Sequence, residues 1–159
     1  MIKITIIAVG KLKEKYLRDA VSEYEKRISA YAKINIIEVS EHRCGDSPSP
    51  AEIRQVLQKE GEQIIAKIPK GSFVIPMCIE GTQKTSEDFS KEIERISLTS
   101  SEITFVIGGS FGLSDEVKAL GKTKLSFSKM TFPHQLMRVI LLEQIYRALS
   151  ISNNSKYHK

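Results

Sequence analysis

The chain has 159 residues, a net charge of +5, 41% hydrophobic residues and 27% charged ones. Those values suit one soluble domain over residues 1–159 with a full core, and no apolar run approaches the ~20 residues that cross a bilayer. Cys44 and Cys78 stand far apart and outside any CxxC pair, so a disulfide scaffold and a zinc or redox motif are excluded, and no metal is expected.

Residues 2–9 are rich in Ile and Val, end at Gly10 and read as a strand rather than as a signal peptide. Residues 13–32 are helical: Leu17, Ala20, Val21, Tyr24 and Ile28 recur at spacings of three and four, with charges opposite. Residues 34–39 form a second strand, and 40–49 a polar loop. Ser49-Pro50-Ala51-Glu52 is a capping box with proline in the first turn, which opens a helix to about Lys67. Residues 72–79 form a third strand. Pro76 removes one backbone donor there, so the strand is expected to be irregular or near an edge. Thr85 or Ser86 caps a helix through about Ile96.

The run 103–107 is bare and β-branched, as in a central parallel strand covered on both faces. Ser114 then caps a short helix, 124–127 is a brief fifth strand, and Pro133 starts a last helix through about Leu149. Residues 152–159 form a polar tail. The alternation of strands and helices implies an α/β fold, a parallel sheet with helices on both faces. Ligands in such folds sit outside the carboxyl ends of the strands.

Charge is unevenly placed. Residues 1–120 carry 17 basic and 18 acidic groups, whereas residues 121–159 carry seven basic groups against the single acid Glu143. Such a local field concentrates polyanions, although a solvated basic tail gives the same pattern. The last helix is apolar almost all round, with Leu136, Met137, Val139, Ile140, Leu141, Leu142, Ile145, Tyr146, Ala148 and Leu149. It must be buried on nearly every side, by a second copy of the chain or by the rest of the same chain.

Two segments carry candidate chemistry. Gly108-Gly109-Ser110-Phe111-Gly112 follows a strand and precedes a helix, where glycines let backbone approach a ligand. A tight structural turn explains it equally well. Residues 125–134, Leu-Ser-Phe-Ser-Lys-Met-Thr-Phe-Pro-His, alternate hydroxyl and apolar groups, suited to holding a purine edge between Met130 and Phe132, or to anchoring an ordinary loop. His134 and Arg138 share a helix face. Arg138 suits a phosphate, or an internal carboxylate such as Glu143. In the tail, Lys156, Tyr157, His158 and Lys159 offer rings for stacking and cations for phosphates.

These stretches resemble the ribosomal RNA large subunit methyltransferase H family of the SPOUT superfamily. The likeness runs the whole length: Ala8-Val9-Gly10, Lys59-Glu60-Gly61-Glu62, Ile107-Gly108-Gly109-Ser110-Phe111-Gly112-Leu113, the segment 125–134, Tyr146-Arg147-Ala148 and Tyr157-His158. The resemblance implies a SPOUT-type α/β knot, its C-terminal part threaded as a trefoil. It also implies a cytoplasmic homodimer that uses S-adenosylmethionine to methylate N3 of a pseudouridine in large-subunit (23S) ribosomal RNA, free or in the ribosome.

Carried over residue by residue, the cofactor rests on Met77, Gly108, Phe127, Ser128, Lys129, Met130, Thr131 and Phe132. The catalytic set is His158, Arg138 and Tyr157, with His158 as base or relay from the other subunit, and Arg147, Lys156 and His134 meet RNA. Met77 stands where the family usually has Leu, and Lys156 where it commonly has Pro. The rival from another class is a non-catalytic RNA-binding, ribosome-associated module. A nucleotide-binding oxidoreductase is disfavoured because the first strand lacks a dinucleotide glycine fingerprint.

Overall fold

The computed structural model describes residues 1–159. Its elements run β1 (Lys3–Val9), α1 (Lys15–Ile28), β2 (Lys33–Val39), α2 (Pro50–Lys67), β3 (Phe73–Gln83), α3 (Ser86–Ser97), β4 (Glu102–Ile107), α4 (Asp115–Ala119), β5 (Leu125–Ser126) and α5 (His134–Ser152). The five strands form one sheet in the order β2-β1-β4-β3-β5, and every pairing is parallel. The bare run of β4 lies in the middle of the sheet, as its composition requires.

Alternation along the strands builds two cores. Ile4, Ile6, Ala8, Phe105 and Ile107 face α1, α3 and α5, meeting Val21, Ile93, Leu141 and Ile145. Ile7, Val9 and Val106 point the other way, to Ile64 of α2 and Val117 of α4. The helices thus sandwich the sheet. Ser49 caps α2 as read from sequence: its hydroxyl accepts from the Glu52 N–H, and the Glu52 carboxylate accepts from the Ser49 N–H.

Three elements differ most from the pattern-based reading. The first helix, expected over residues 13–32, spans only Lys15–Ile28. The strand expected to stop before Glu80 runs on to Gln83, because the ladder resumes after a bulge between Met77 and Thr82. Gly81 permits this: a Cβ there would lie 2.8 Å from the Leu125 carbonyl carbon. Only glycine lets β5 come so close. The last helix continues to Ser152 and ends in a Schellman cap, with Asn154 at φ 56 and the Ser155 N–H donating to the Ser150 carbonyl. That cap turns the tail back along α5.

α5 packs between α1 and α3 with Leu141, Leu142, Ile145, Ala148 and Leu149 buried. Its other side is incompletely covered: Leu136 is exposed, and Met137, Val139 and Ile140 are half-buried. Burial within the chain therefore accounts for part of the helix's apolar surface and leaves a stripe over.

Candidate active site

The carboxyl ends of β3, β4 and β5 surround a cavity of about 690 Å³, within the range of small-molecule sites. Three segments line it: Met77 to Glu80 from β3, Ile107 to Leu113 after β4, and Leu125 to His134 except Lys129. Met137 of α5 closes one side.

The loop after β4 folds tightly on itself. Gly109 and Gly112 bridge, with the Gly112 N–H donating to the Gly109 carbonyl at 3.1 Å. A Cβ on Gly108 would stand 2.4 Å from the Gly112 carbonyl oxygen, so glycine is required for this close approach. The segment after β5 is shaped by its serines. The Ser126 hydroxyl donates to the Ser128 carbonyl at 3.0 Å, and the Ser128 hydroxyl accepts from the Met130 N–H at 2.9 Å. Met77, Phe111, Met130 and Phe132 supply apolar wall between these backbone groups. The combination fits a flat heterocycle held by its polar edge.

One side of the cavity is charged. Glu80 pairs with Lys118 of α4. The lysine's hydrogen bond holds the Glu80 carboxyl below its ordinary range, and the same bond raises Lys118. Burial pushes the Cys78 thiol up, with Glu80 adding to it. Pattern reading gave Glu80 and Lys118 no role, took Cys78 only as a cysteine outside any motif, and named Phe111 only within the glycine-rich run; the local signal for Glu80 is its place before Gly81 near a strand's end.

Residues singled out in the sequence divide into three groups. Met77, Gly108, Phe127, Ser128, Met130, Thr131, Phe132 and His134 meet at the cavity, while Lys129 is exposed beside it. Arg138, expected to meet substrate or Glu143, instead is 1% exposed and outside the cavity. It donates to Glu38 at 2.5 Å and to the Gly10 carbonyl at 3.2 Å, and its Nε has no partner. Its guanidinium ties α5 to the carboxyl ends of β1 and β2.

The third group gathers at the far end of α5. Arg147 is held by Glu143 through two hydrogen bonds and donates to His158 Nδ1 at 3.1 Å. With Nδ1 accepting, His158 Nε2 donates to Glu87 at 2.6 Å. The Tyr157 hydroxyl donates to Glu143 at 3.1 Å, and its ring packs on Tyr146 with centroids 4.7 Å apart. Burial, helped by Tyr24 and Glu143, pushes the Tyr157 hydroxyl up to about 12, so it is a hydrogen-bond donor and not a base near neutral pH. Lys156 is exposed. From His134 to Arg147 α5 spans about 20 Å at ~1.5 Å per residue. The tail therefore lies a helix length from its own cavity.

No three His, Cys, Asp or Glu side chains gather into a metal-ligand group, and no helix is long and apolar enough to cross a membrane.

Comparison with known proteins bears on this arrangement directly. The chain is 54% identical over 157 residues to the ribosomal RNA large subunit methyltransferase H of an Exiguobacterium species, covering 98% of this chain and 99% of that protein. It is 51% identical to the protein of the same name from Streptococcus gordonii, covering 99% of each. Among solved structures, it superposes on a probable methylase family protein from Haemophilus influenzae with a TM-score of 0.54 at 13% identity, covering 100% of this chain and 72% of that one. It superposes equally on a tRNA (m1G37) methyltransferase from Aquifex aeolicus, with a TM-score of 0.54 at 12% identity, covering 91% and 69%. At such identities these two establish the fold alone. Residues 2–158 match the family described as Predicted SPOUT methyltransferase; with its parallel sheet and its full-length relatives, the chain belongs to the SPOUT methyltransferases.

Proposed function

We propose that this protein is an S-adenosylmethionine-dependent methyltransferase of large-subunit ribosomal RNA, acting at N3 of a pseudouridine, in the cytoplasm and as a homodimer. The observation that carries the reading is the cavity formed where the Gly108 loop and residues 127–132 meet at the strands' carboxyl ends. Its apolar walls and exposed backbone groups suit an adenosyl moiety, with Met77, Gly108, Phe127, Ser128, Met130, Thr131 and Phe132 in contact and Lys129 at the rim.

When bound, the cofactor supplies a methyl group that is already electrophilic. The protein's own work is chiefly alignment, which can contribute ~7–11 kcal/mol. The Gly108 and Ser128 loops fix one reactant, and His134 at the cavity edge faces the other. N3 of the base gives up a weakly acidic proton, and His158 is its acceptor or relay. Tyr157 stacks on the target, while Arg147 and Lys156 meet phosphate. Arg138 acts as a positioning residue, setting the start of α5, and hence His134, against β1 and β2.

The tail's distance from its own cavity argues that these groups act on a second subunit's cavity. The incompletely covered side of α5, with Leu136 exposed and Ile140 half-buried, offers the surface for pairing. The trefoil threading of the C-terminal part expected of the family is part of this reading.

Co-expression of two inactive variants tests the composite site. Thr131→Trp blocks the cavity and abolishes S-adenosylmethionine binding by calorimetry; His158→Ala keeps that binding and loses turnover. Mixed dimers carry one intact site, so activity returns to about a quarter of the unmodified level under random pairing. Absence of recovery, with mixed dimers present, would refute catalysis across the subunits.

A further inference from the structure

A second cleft borders the cavity and shares Glu80 with it. Its floor is Gly81 and Thr82 after the β3 bulge, with Gly121 and Thr123 from the turn before β5; no hydrophobic side chain lines it. Four cations stand around it: Lys84, Arg95, Lys122 and Lys124. Lys84 is neutralised by Glu92 at 2.7 Å, and Glu80 by Lys118. Arg95, Lys122 and Lys124 pair with no carboxylate. They come from α3 and from the turn leading into β5, so the fold itself converges them.

We propose that this cleft is a phosphate-binding track for the RNA strand flanking the methylated nucleotide, held by Arg95, Lys122 and Lys124. The chemistry selects the ligand. A wholly polar trough with surplus positive charge offers nothing to a base face, a lipid chain or an apolar peptide. A phosphodiester backbone, with repeated negative charge and no need of apolar contact, is what it accommodates. Position selects the register: a base inserted into the cavity leaves its neighbouring phosphates at the mouth beside Glu80, next to the cleft. Arg95 can grip a phosphate through two hydrogen bonds, and the lysines act as point charges. The cleft belongs to the same chain as the cavity. RNA is thereby held from one side by this subunit and from the other by the partner's tail.

This inference rests on the methyltransferase reading, and its test separates the two. The triple variant Arg95→Gln, Lys122→Gln, Lys124→Gln is compared with Lys59→Gln, Lys67→Gln, Lys70→Gln, which removes equal charge from exposed sites on α2 and the following turn. Each is titrated with ribosomes from a strain deleted for this protein, across a salt series, and with S-adenosylmethionine alone. Each lost phosphate contact lowers the slope of log K against log salt by about 0.7–0.9. The cleft variant is expected to lose about 2 to 3 from that slope and to show raised KM for ribosomes, with cofactor affinity unchanged; the control keeps the unmodified slope. A cleft variant with unmodified slope and KM overturns the track while leaving the methyltransferase reading intact. Unmodified protein that binds no cofactor and methylates no ribosomes overturns both.

Discussion

Substitution of Gly81 by Ala probes the joint on which half the cavity depends. The added Cβ would lie 2.8 Å from the Leu125 carbonyl carbon and 2.9 Å from both Leu125 N and the Lys124 carbonyl carbon. Ordinary contact begins at 3.4 Å, so β5 must retreat by about half an ångström or more. All three neighbours are backbone and cannot rotate away. Retreat strains the hydrogen bond from the Thr82 N–H to the Lys124 carbonyl, now 2.9 Å. Overpacking costs about 1–3 kcal/mol and a weakened backbone bond about 0.5–1.5 kcal/mol. The stiffer unfolded chain returns about 0.4–1 kcal/mol. A net loss of about 1–3 kcal/mol lowers Tm by about 2–12 °C in a domain of this size. Because Leu125 leads directly into residues 127–132, calorimetry should also show weakened S-adenosylmethionine binding. Gly45→Ala, where nothing lies within 4 Å, is the control: the same unfolded-chain effect should raise its Tm by about 1–4 °C, with cofactor affinity unchanged. If Gly81→Ala matched that control in Tm and affinity, the claim that this contact seats β5 would be wrong.

Three further substitutions test other parts of the structure. In Gly61→Ala the Cβ meets the Ser114 hydroxyl at 2.8 Å; since that hydroxyl caps α4 through the Val117 N–H, a loss of about 1 kcal/mol in chemical denaturation is expected despite alanine's better helix propensity. Arg138→Met removes a buried guanidinium, but Glu38 keeps 39% of its side chain exposed and can rehydrate, so the cost is about 1–3 kcal/mol rather than that of a fully buried broken pair, with turnover falling and cofactor affinity held. Glu60 is 3% exposed, accepts from the His42 N–H at 3.0 Å, and is pushed above its ordinary carboxyl range, chiefly by burial. The folded chain thus resists its ionisation: the penalty is absent below the unfolded value near 4.5 and grows as pH rises toward the folded one. Stability of Glu60→Gln relative to the unmodified protein should therefore climb with pH above that point and then level off, and a pH-independent difference in denaturation free energy would count against the burial argument.

Periodic signals were the legible part of the chain. The strand runs, the Ser49–Glu52 box and the Pro133 start all marked local preferences that the tertiary structure keeps. What escaped pattern reading depended on contacts distant in sequence. The extension of β3 to Gln83 needs the backbone of β5 across Gly81, which no window around residue 80 contains. Arg138 was legible as a functional-looking cation, yet its partners Glu38 and the Gly10 carbonyl come from residues 100 and 128 positions away. The Gly108 and 125–134 segments could be picked out singly, each with an equally good structural explanation. Their convergence on one cavity follows only from the placing of β3 between β4 and β5. Family resemblance supplied the cofactor and substrate, which periodicity alone does not encode.

The order β2-β1-β4-β3-β5 has a consequence for biosynthesis. Walls of the cavity come from residues 77–80, 107–113 and 125–137, and the helix that fills the groove between α1 and α3 is the final one. A nascent chain still missing its last quarter lacks the 125–137 wall of the cavity and leaves the sheet face between α1 and α3 bare, while α2 and α4 already cover the other. The cavity is thus completed only as that last quarter folds onto the sheet, and a fragment ending before residue 121 has no full cofactor pocket.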